Sequence, residues 1–154
     1  MAHFSEKFPY IFYIKTLAQR LKDTSDFYLE EYGINTSLGM LLGQINCSQE
    51  NNETINRKLL ENALKITGPS VSNLLNKLEI LETISRQPCE YDNRNLNINI
   101  TDKGVDLLNN TNIALKEVDK LLTNGMTDEE KASFLTLLEK ALDNIENFYK
   151  TKNN

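Results

Sequence analysis

The sequence predicts a mainly α-helical domain that carries one small β-hairpin. Apolar side chains recur at helical spacing near both ends of the chain, which predicts long helices there. Residues 95–100 instead alternate strictly as Asn, Leu, Asn, Ile, Asn, Ile, and a period of two is typical of a strand. Before this strand the elements follow the order helix, short turn, helix, which predicts a helix-turn-helix with a β wing.

The N-terminal part predicts two helices. Residues 8–32 carry apolar and aromatic side chains at mostly helical intervals and are expected to form one long helix that ends at Gly33. Thr36 or Ser37 is expected to cap the next helix. That helix, residues 38–47, is apolar over much of its surface and is therefore expected to be buried.

Two short helices joined by a tight turn are predicted next. Residues 55–64 form an amphipathic helix, and the connection 65–67 is about as short as a helix-turn-helix allows. Thr67 is expected to cap the second helix, with Pro69 in its first turn, where the missing N–H costs little. The buried stripe of this helix is predicted to be Val71, Leu74, Leu75 and Leu78.

The polar face of the second helix begins with small hydroxyl and amide side chains, whereas an ordinary solvated face carries Glu and Lys. Such groups fit a DNA groove and offer donors and acceptors to base edges. We expect base contacts from Ser70, Ser72 and Asn73. The DNA-contacting set predicted for this segment is Thr67, Gly68, Pro69, Ser70, Ser72, Asn73, Asn76 and Lys77, of which Thr67 and Lys77 are expected to contact phosphates.

The hairpin is predicted to form from residues 83–87 and 95–100, with a polar turn between them. Leu96, Ile98 and Ile100 are expected to face the core. Arg94 near the tip lies about one wing length beyond the polar helix, and we expect it to enter a minor groove, with Asp92 holding it or a neighbouring basic group in place. The alternative is an ordinary surface ion pair, which contributes little.

The C-terminal part predicts two more helices. Thr101 is expected to cap the first, Gly125 to end it, and residues 127–130 to form a capping box that opens the second. The terminal helices present more apolar surface than a small domain can cover, so we expect burial against a second copy of the chain. The apolar stripe of the last helix is Phe134, Leu138, Ala141, Ile145 and Phe148, with Leu135, Leu142 and Tyr149 beside it.

The acidic charge of the chain is unevenly distributed. The net charge is -5, but residues 56–103 carry seven Lys and Arg against six Asp and Glu, a net charge of +1. The remaining residues carry ten basic against sixteen acidic side chains, a net charge of -6. The basic footprint of the predicted DNA-contacting region is therefore modest.

Other classes of protein are excluded by what the sequence contains. There is no nucleophile motif and no glycine-rich phosphate loop, and the single histidine is His3, so we predict neither catalytic residues nor a cofactor. Cys47 and Cys89 lie far apart without a CxxC pair, so no metal site is predicted. Cys47 is expected to be a buried small hydrophobic residue, whereas Cys89 near the turn can be exposed, with redox sensing as the minor alternative. The lack of a signal peptide or membrane span predicts a soluble, cytoplasmic protein.

The segment LLENALKITGPSVSNLLNKLE resembles the helix-turn-helix of the MarR family of bacterial winged-helix transcription regulators, which includes repressors of multidrug efflux pumps. Asp92-Asn93-Arg94 resembles the wing-tip Asp-x-Arg motif of that family, and Arg86 stands where a basic residue is common in its first wing strand. ITDKG resembles the start of the long helix that follows. The resemblance covers nearly the whole chain in element order, although only residues 55–104 or so carry specific motifs.

The resemblance implies an obligate homodimer with interleaved N- and C-terminal helices, a pseudo-palindromic double-stranded DNA site and, often, release by a small amphipathic or aromatic effector. It divides a single domain, residues 1–154, into a DNA-binding lobe (36–101) and dimerisation helices (5–33 and 102–150). Arg86, Asp92 and Arg94 join the DNA-contacting set. The candidate effector-binding residues are Phe12, Phe27 and Tyr28, and the alternative is that these aromatics form the dimer core.

Two functions remain in competition. The first is a ligand-responsive transcription regulator, expected to be a repressor. The alternative is a winged-helix protein-interaction module that does not contact DNA, since a fold alone does not determine function.

Overall fold

The computed structural model describes residues 3–87 and 94–152. Cys89 and Asp92 therefore lie outside the described residues. The chain folds as two compact units, residues 1–118 and 119–154. The elements in chain order are α1 (Phe4–Lys7), α2 (Pro9–Leu29), a 3-10 turn (Glu30–Tyr32), α3 (Thr36–Glu50), α4 (Arg57–Leu64), α5 (Gly68–Ile80), β1 (Ile84–Gln87), β2 (Asn97–Ile100), α6 (Asp102–Leu122) and α7 (Asp128–Lys152).

The start of α3 differs from the prediction. Gly33 ends the first helical segment in the left-handed conformation as predicted, with φ at 71°. Asn35, and not Thr36 or Ser37, is the cap of α3, because its extended backbone lets its side-chain oxygen accept from the Leu38 N–H at 3.1 Å. The prediction of the capping residue was therefore wrong by one position.

Asp26 of α2 explains where the Thr36 hydroxyl goes instead. The Thr36 N–H and hydroxyl donate to Asp26 Oδ1 at 2.7 and 2.6 Å, and Lys22 Nζ lies 2.6 Å from Oδ2. Burial acts to raise the pKa of Asp26, but the hydrogen bonds from Lys22 and Thr36 outweigh it, so the pKa lies below its ordinary value. This carboxylate fastens α2 to the first turn of α3, where the helix dipole favours negative charge.

The prediction that Cys47 is buried was also wrong, because its side chain is exposed. The buried side of α3 is formed by Leu38, Leu41, Leu42, Ile45 and Ser48, and Cys47 falls outside that stripe. The Cys47 thiol is exposed because α3 is apolar on more of its surface than the core can cover, and Cys47 lies on the part that is left uncovered.

The two short helices form as predicted. Asn56 caps α4 by accepting from the Leu59 N–H at 2.9 Å, and Lys65 ends α4 in the left-handed conformation, with φ at 55°. Thr67 caps α5 through its hydroxyl, which accepts from the Ser70 N–H at 3.4 Å. The buried side of α5 consists of Val71, Leu75 and Leu78, while Leu74 packs against the core from its margin.

The hairpin packs on this core as the alternating pattern predicts. Ile98 is buried, whereas Leu96 and Ile100 are partly buried against the core. Strands β1 and β2 are antiparallel, with Ile84 opposite Ile100 and Arg86 opposite Ile98. The Leu96 N–H donates to the Ile55 carbonyl at 2.8 Å, so the residue before β2 is tied to the start of the helix-turn-helix.

Gly104 allows α6 to pack tightly against the corner between α5 and β1. Thr101 caps α6, since its hydroxyl accepts from the Gly104 N–H at 3.1 Å. A methyl group at Gly104 would lie 2.0 Å from the Thr83 carbonyl oxygen. Thr83 itself is buried and donates through its hydroxyl to the Leu78 carbonyl at 2.8 Å. Glycine is therefore required for this packing, although it lowers helix propensity.

The unit of residues 119–154 contains α7. Its capping box forms as predicted: the Thr127 N–H donates to Glu130 Oε2 at 2.8 Å, and the Glu130 N–H donates to the Thr127 hydroxyl at 3.2 Å. No residue of α7, all of which is described, is buried. The exposed large apolar side chains of α7 include Leu135, Leu137, Leu138, Leu142, Ile145, Phe148 and Tyr149.

Two negative findings apply to residues 3–87 and 94–152. None of the helices there is both long enough and apolar enough to span a bilayer. No group of three or more His, Cys, Asp or Glu side chains is arranged to hold a metal ion.

Candidate nucleic-acid interface

The predicted contact residues of α5 all lie at the surface, because the opposite side of the helix is packed into the core. Val71 and Leu78 are fully buried, and Leu75 is 2% exposed. The exposed members of the predicted set are Thr67, Pro69, Ser70, Asn73, Asn76 and Lys77, and the half-buried members are Gly68 and Ser72. Helix α5 thus presents a continuous face of hydroxyl, amide and ammonium groups.

The first turn of this face is pre-ordered. The hydroxyl oxygens of Thr67 and Ser70 lie 2.9 Å apart and share a hydrogen bond in which either can donate. Because the Thr67 oxygen also caps the helix, Ser70 is oriented by the capping group itself. A ligand at this turn therefore meets hydroxyls that are already positioned.

Arg86 of β1 binds back onto α5. Its Nε and Nη2 atoms donate to Glu79 Oε2 at 3.1 and 2.5 Å, and Nη2 also donates to Asn76 Oδ1 at 2.7 Å. The hydrogen bond from Arg86 holds the pKa of Glu79 below its usual range. The guanidinium, predicted to contact DNA, is thus engaged by two residues of the helix that carries the polar face.

A groove of about 570 Å³ adjoins the wing, and Arg94 lines it. Arg57 and Lys58 of α4 share the groove, and both are exposed. Glu61 is the one carboxylate among the described residues that line this groove, and its Oε2 lies 3.6 Å from Lys58 Nζ. The structure therefore brings the predicted wing residue Arg94 together with two basic residues that sequence reasoning did not select.

The signal for these two residues was present in the sequence. Asn56, Arg57 and Lys58 are consecutive, and a cap residue followed by two basic residues marks the first turn of α4. Their relation to Arg94 depends on tertiary structure, because the Asn95 bridge to Asn56 brings the base of the wing to this turn. The partner predicted for Arg94, Asp92, is not among the described residues, so the motif is placed only through Arg94.

Among the described residues, the candidate effector-binding residues Phe12 and Phe27 line two different grooves. Phe12 lines a groove of about 580 Å³ with Lys15 and Arg20. Phe27 lines a different groove of about 460 Å³ with Asp26 and Glu30. Phe12 and Phe27 are separated by fifteen positions on α2, or roughly 22 Å at the helical rise. Phe27 and Tyr28 are neighbours, with ring centroids 5.8 Å apart in an edge-on arrangement.

No protein-family model matches the chain. The HTH-type transcriptional regulator SarZ of Staphylococcus epidermidis is 28% identical to it over 152 residues, which are 97% of this chain and 95% of SarZ. The structure of a MepR–DNA complex from Staphylococcus aureus superposes with a TM-score of 0.79 and 28% identity, over 90% of this chain and 98% of MepR. A MarR protein from Peptoclostridium difficile superposes with a TM-score of 0.83 over 96% of this chain and 94% of its own, at 23% identity, which demonstrates the shared fold.

Proposed function

Because the chain is a member of the MarR family of winged helix-turn-helix proteins, we propose that it is a sequence-specific DNA-binding transcription regulator that binds a pseudo-palindromic operator as a homodimer. One observation carries the proposal: α5 exposes Ser70, Asn73 and Asn76 along one side while its other side is held in the core. A recognition helix needs such rigid backing if its side chains are to meet base edges in the major groove. The DNA in the MepR complex and the name of SarZ support the same function.

The charges of the lobe fit this role. Lys77 lies on the polar face of α5, and Arg57, Lys58 and Arg94 surround the groove beside the wing. Basic side chains on both sides of a groove-binding helix neutralise the phosphates that flank it. In the proposed complex Arg94 enters the adjacent minor groove, while Arg57 and Lys58 contact the backbone.

The proposed dimer follows from the apolar surfaces at both ends of the chain. In α2 the exposed apolar side chains include Tyr10, Ile11 and Ile14, and α7 exposes Leu138 in its apolar stripe and two more leucines beside it. Exposed apolar patches of this extent are typical of a protein-protein interface. Two copies related by a two-fold axis would present two recognition helices to half-sites about one helical turn apart.

The proposed regulator is a ligand-responsive repressor that acts in the cytoplasm. The effector would be a small amphipathic or aromatic molecule, and the candidate contacts on α2 are Phe12, Phe27 and Tyr28. Since Phe12 and Phe27 of one copy lie in different grooves roughly 22 Å apart along α2, a small effector in contact with both would take them from two different copies.

The test of this function begins with a pool of random-sequence duplexes, from which the purified protein selects those that it binds. We expect a selected consensus with two-fold symmetry and half-sites about 10 base pairs apart from centre to centre. Sedimentation should give twice the chain mass of 17.7 kDa. A protein that selects no sequence would be a winged-helix interaction module instead, and a monomer that binds a single half-site would refute the dimer.

Arg94→Ala tests the wing in the same assay. If Arg94 enters the groove, its loss should weaken binding of the selected duplex severalfold and lower the slope of log K against log salt by about 0.9, one released counterion. Lys116→Ala on α6 removes the same charge elsewhere and is the matched control. Unchanged affinity and salt slope for Arg94→Ala, with an intact circular dichroism spectrum, would contradict the wing assignment.

A further inference from the structure

The contact between Arg86 and Asn76 fixes the direction in which the Asn76 amide points. A guanidinium carries five N–H donors and no acceptor. Its partner atom on Asn76, 2.7 Å from Arg86 Nη2, must therefore be the carbonyl oxygen of the amide. The amide nitrogen of Asn76, with its two N–H donors, is turned away from Arg86 on an exposed residue.

We propose that Asn76 donates a hydrogen bond to a phosphate oxygen of the bound DNA and that Arg86 is the positioning residue that sets this donor. The inference rests on the proposed DNA-binding function and specifies the role of two residues within it. Phosphate oxygens only accept hydrogen bonds, which matches the outward N–H groups of Asn76.

Two features favour a phosphate over a base edge. Asparagine recognises adenine with its amide oxygen and its amide nitrogen side by side on the base edge, whereas the bond from Arg86 directs the oxygen of Asn76 towards β1. Asn76 also lies two turns beyond the Thr67 cap, whereas base contacts come mainly from the N-terminal residues of a recognition helix. Asn76 therefore sets the register of the helix on the duplex, and Ser70, Ser72 and Asn73 contact the bases.

Arg86 itself does not supply a charge to the phosphates in this arrangement. Two of its nitrogens donate to the Glu79 carboxylate, and this hydrogen bonding lowers the pKa of Glu79. The pair is electrically neutral as a unit. Its contribution to DNA binding is the orientation of Asn76, and it is distinct from the predicted direct contact of Arg86 with DNA.

The experiment is a double-mutant cycle on the duplex selected by the parent protein. One arm is Asn76→Ala, and the other is the charge-balanced variant Glu79→Gln with Arg86→Met, which removes the pair without leaving an unpaired carboxylate. Each arm alone should weaken binding by roughly 12-fold or more per half-site, the effect of one hydrogen bond to a charged group. In the Asn76→Ala background, removal of the pair should have little further effect, because the residue through which Arg86 acts is gone.

Two further measurements separate this role from others. The salt slope should be unchanged in both arms, whereas a direct contact between Arg86 and a phosphate would lower it by about 0.9 when the pair is removed. A second selection with Asn76→Ala should return the same consensus, since phosphate contacts carry no base information. A changed base at one position per half-site would overturn the phosphate assignment.

The outcomes are distinguishable from failure of the proposed function. A parent protein that selects no duplex overturns both the function and this inference. A parent that selects a consensus, combined with additive losses in the cycle, overturns only the positioning role of Arg86. If the pair merely held β1 against α5, its removal would cost the same in both backgrounds, and the additivity would reveal it. Thermal unfolding of each variant verifies that binding is measured on folded protein.

Discussion

The two compact units of the chain differ in how they bury apolar surface. Among the described residues, every buried apolar side chain belongs to residues 1–118, where Leu41, Leu60 and Leu78 are fully enclosed. Helix α7 of the second unit has 25 residues and buries none of them. The first unit therefore has its own core, whereas α7 has an apolar stripe and no core.

This difference indicates that α7 is the helix that a second copy of the chain would cover. Most helical stability in proteins comes from packing of an apolar face, so a helix with an exposed stripe is stabilised by whatever covers that stripe. The side chains at successive three- and four-residue steps on α7 are Leu135, Leu138, Leu142, Ile145 and Tyr149. This spacing matches the a and d positions of a coiled-coil seam, which predicts another helix as the partner.

The largest expected effect is on the core of the first unit. Gly104→Ala places a methyl group 2.0 Å from the Thr83 carbonyl oxygen, and neither backbone can move without disturbing the α5–β1 corner. We expect the free energy of unfolding to fall by about 3 kcal/mol. Urea unfolding followed by circular dichroism would measure the loss.

Gly43→Ala is the matched control for that variant. Gly43 is also helical, but a methyl group there meets no atom within 4 Å among the described residues. The free energy of unfolding should rise by about 0.5 to 1 kcal/mol, the difference in helix propensity between alanine and glycine. Equal effects of the two substitutions would contradict the close packing at Gly104.

The second effect concerns α7 and its proposed partner. Leu142→Glu puts a charge in the a and d seam of α7, where the side chain is 57% exposed in the single chain. If this seam is the interface, the dimer should weaken by about 2 to 3 kcal/mol, or roughly 30- to 150-fold in Kd. Sedimentation across a concentration series would measure the Kd of the dimer. An unchanged circular dichroism spectrum would show that the variant remains folded.

Lys140→Glu introduces the same residue on α7 as a control. Position 140 falls opposite the seam in the seven-residue repeat, so its replacement should leave association unchanged. A Leu142→Glu variant that stays as dimeric as the parent would show that α7 does not carry the interface.

The sequence could predict those features of the structure that depend on neighbouring residues, and not those that depend on distant ones. The Thr67 cap, the Thr127–Glu130 capping box and the alternation that buries Ile98 were all predicted, because each depends on residues within a few positions of one another. The α3 cap was predicted wrongly because three consecutive residues can cap a helix, and Asp26, ten positions before Thr36, decides among them.

The candidate nucleic-acid interface also has a part that the sequence predicts and a part that depends on tertiary structure. The polar face of α5 was predictable, since helical periodicity places its residues. The groove beside the wing was not predictable, because Arg57 and Arg94, which line it, are brought together by the Asn56–Asn95 bridge. The bond from Arg86 to Asn76 likewise depends on the β1 strand folding back along α5, which no local pattern records.

The smallest expected effect contrasts the two helix starts. Helix α3 is fastened by a carboxylate from another helix, whereas α7 is capped by its own first turn. Because the folded-state pKa of Asp26 is lowered, its stabilisation is complete above the ordinary aspartate pKa, near 3.8, and is lost as the pH falls through the lower folded value. Asp26→Asn should therefore destabilise the protein at neutral pH by about 0.5 to 1 kcal/mol, the range of a partly exposed ion pair.

The difference between parent and Asp26→Asn should disappear in acid, because a protonated Asp26 and an asparagine both keep an acceptor for Thr36 and neither pairs with Lys22 through charge. Glu130→Gln is the control on α7, since glutamine also serves in a capping box and the bond to the Thr127 N–H is local. Urea unfolding across a pH series should show the free energies of unfolding of the parent and of Asp26→Asn converging in acid. If the two free energies differ by the same amount at every pH, the Asp26 charge does not stabilise the start of α3.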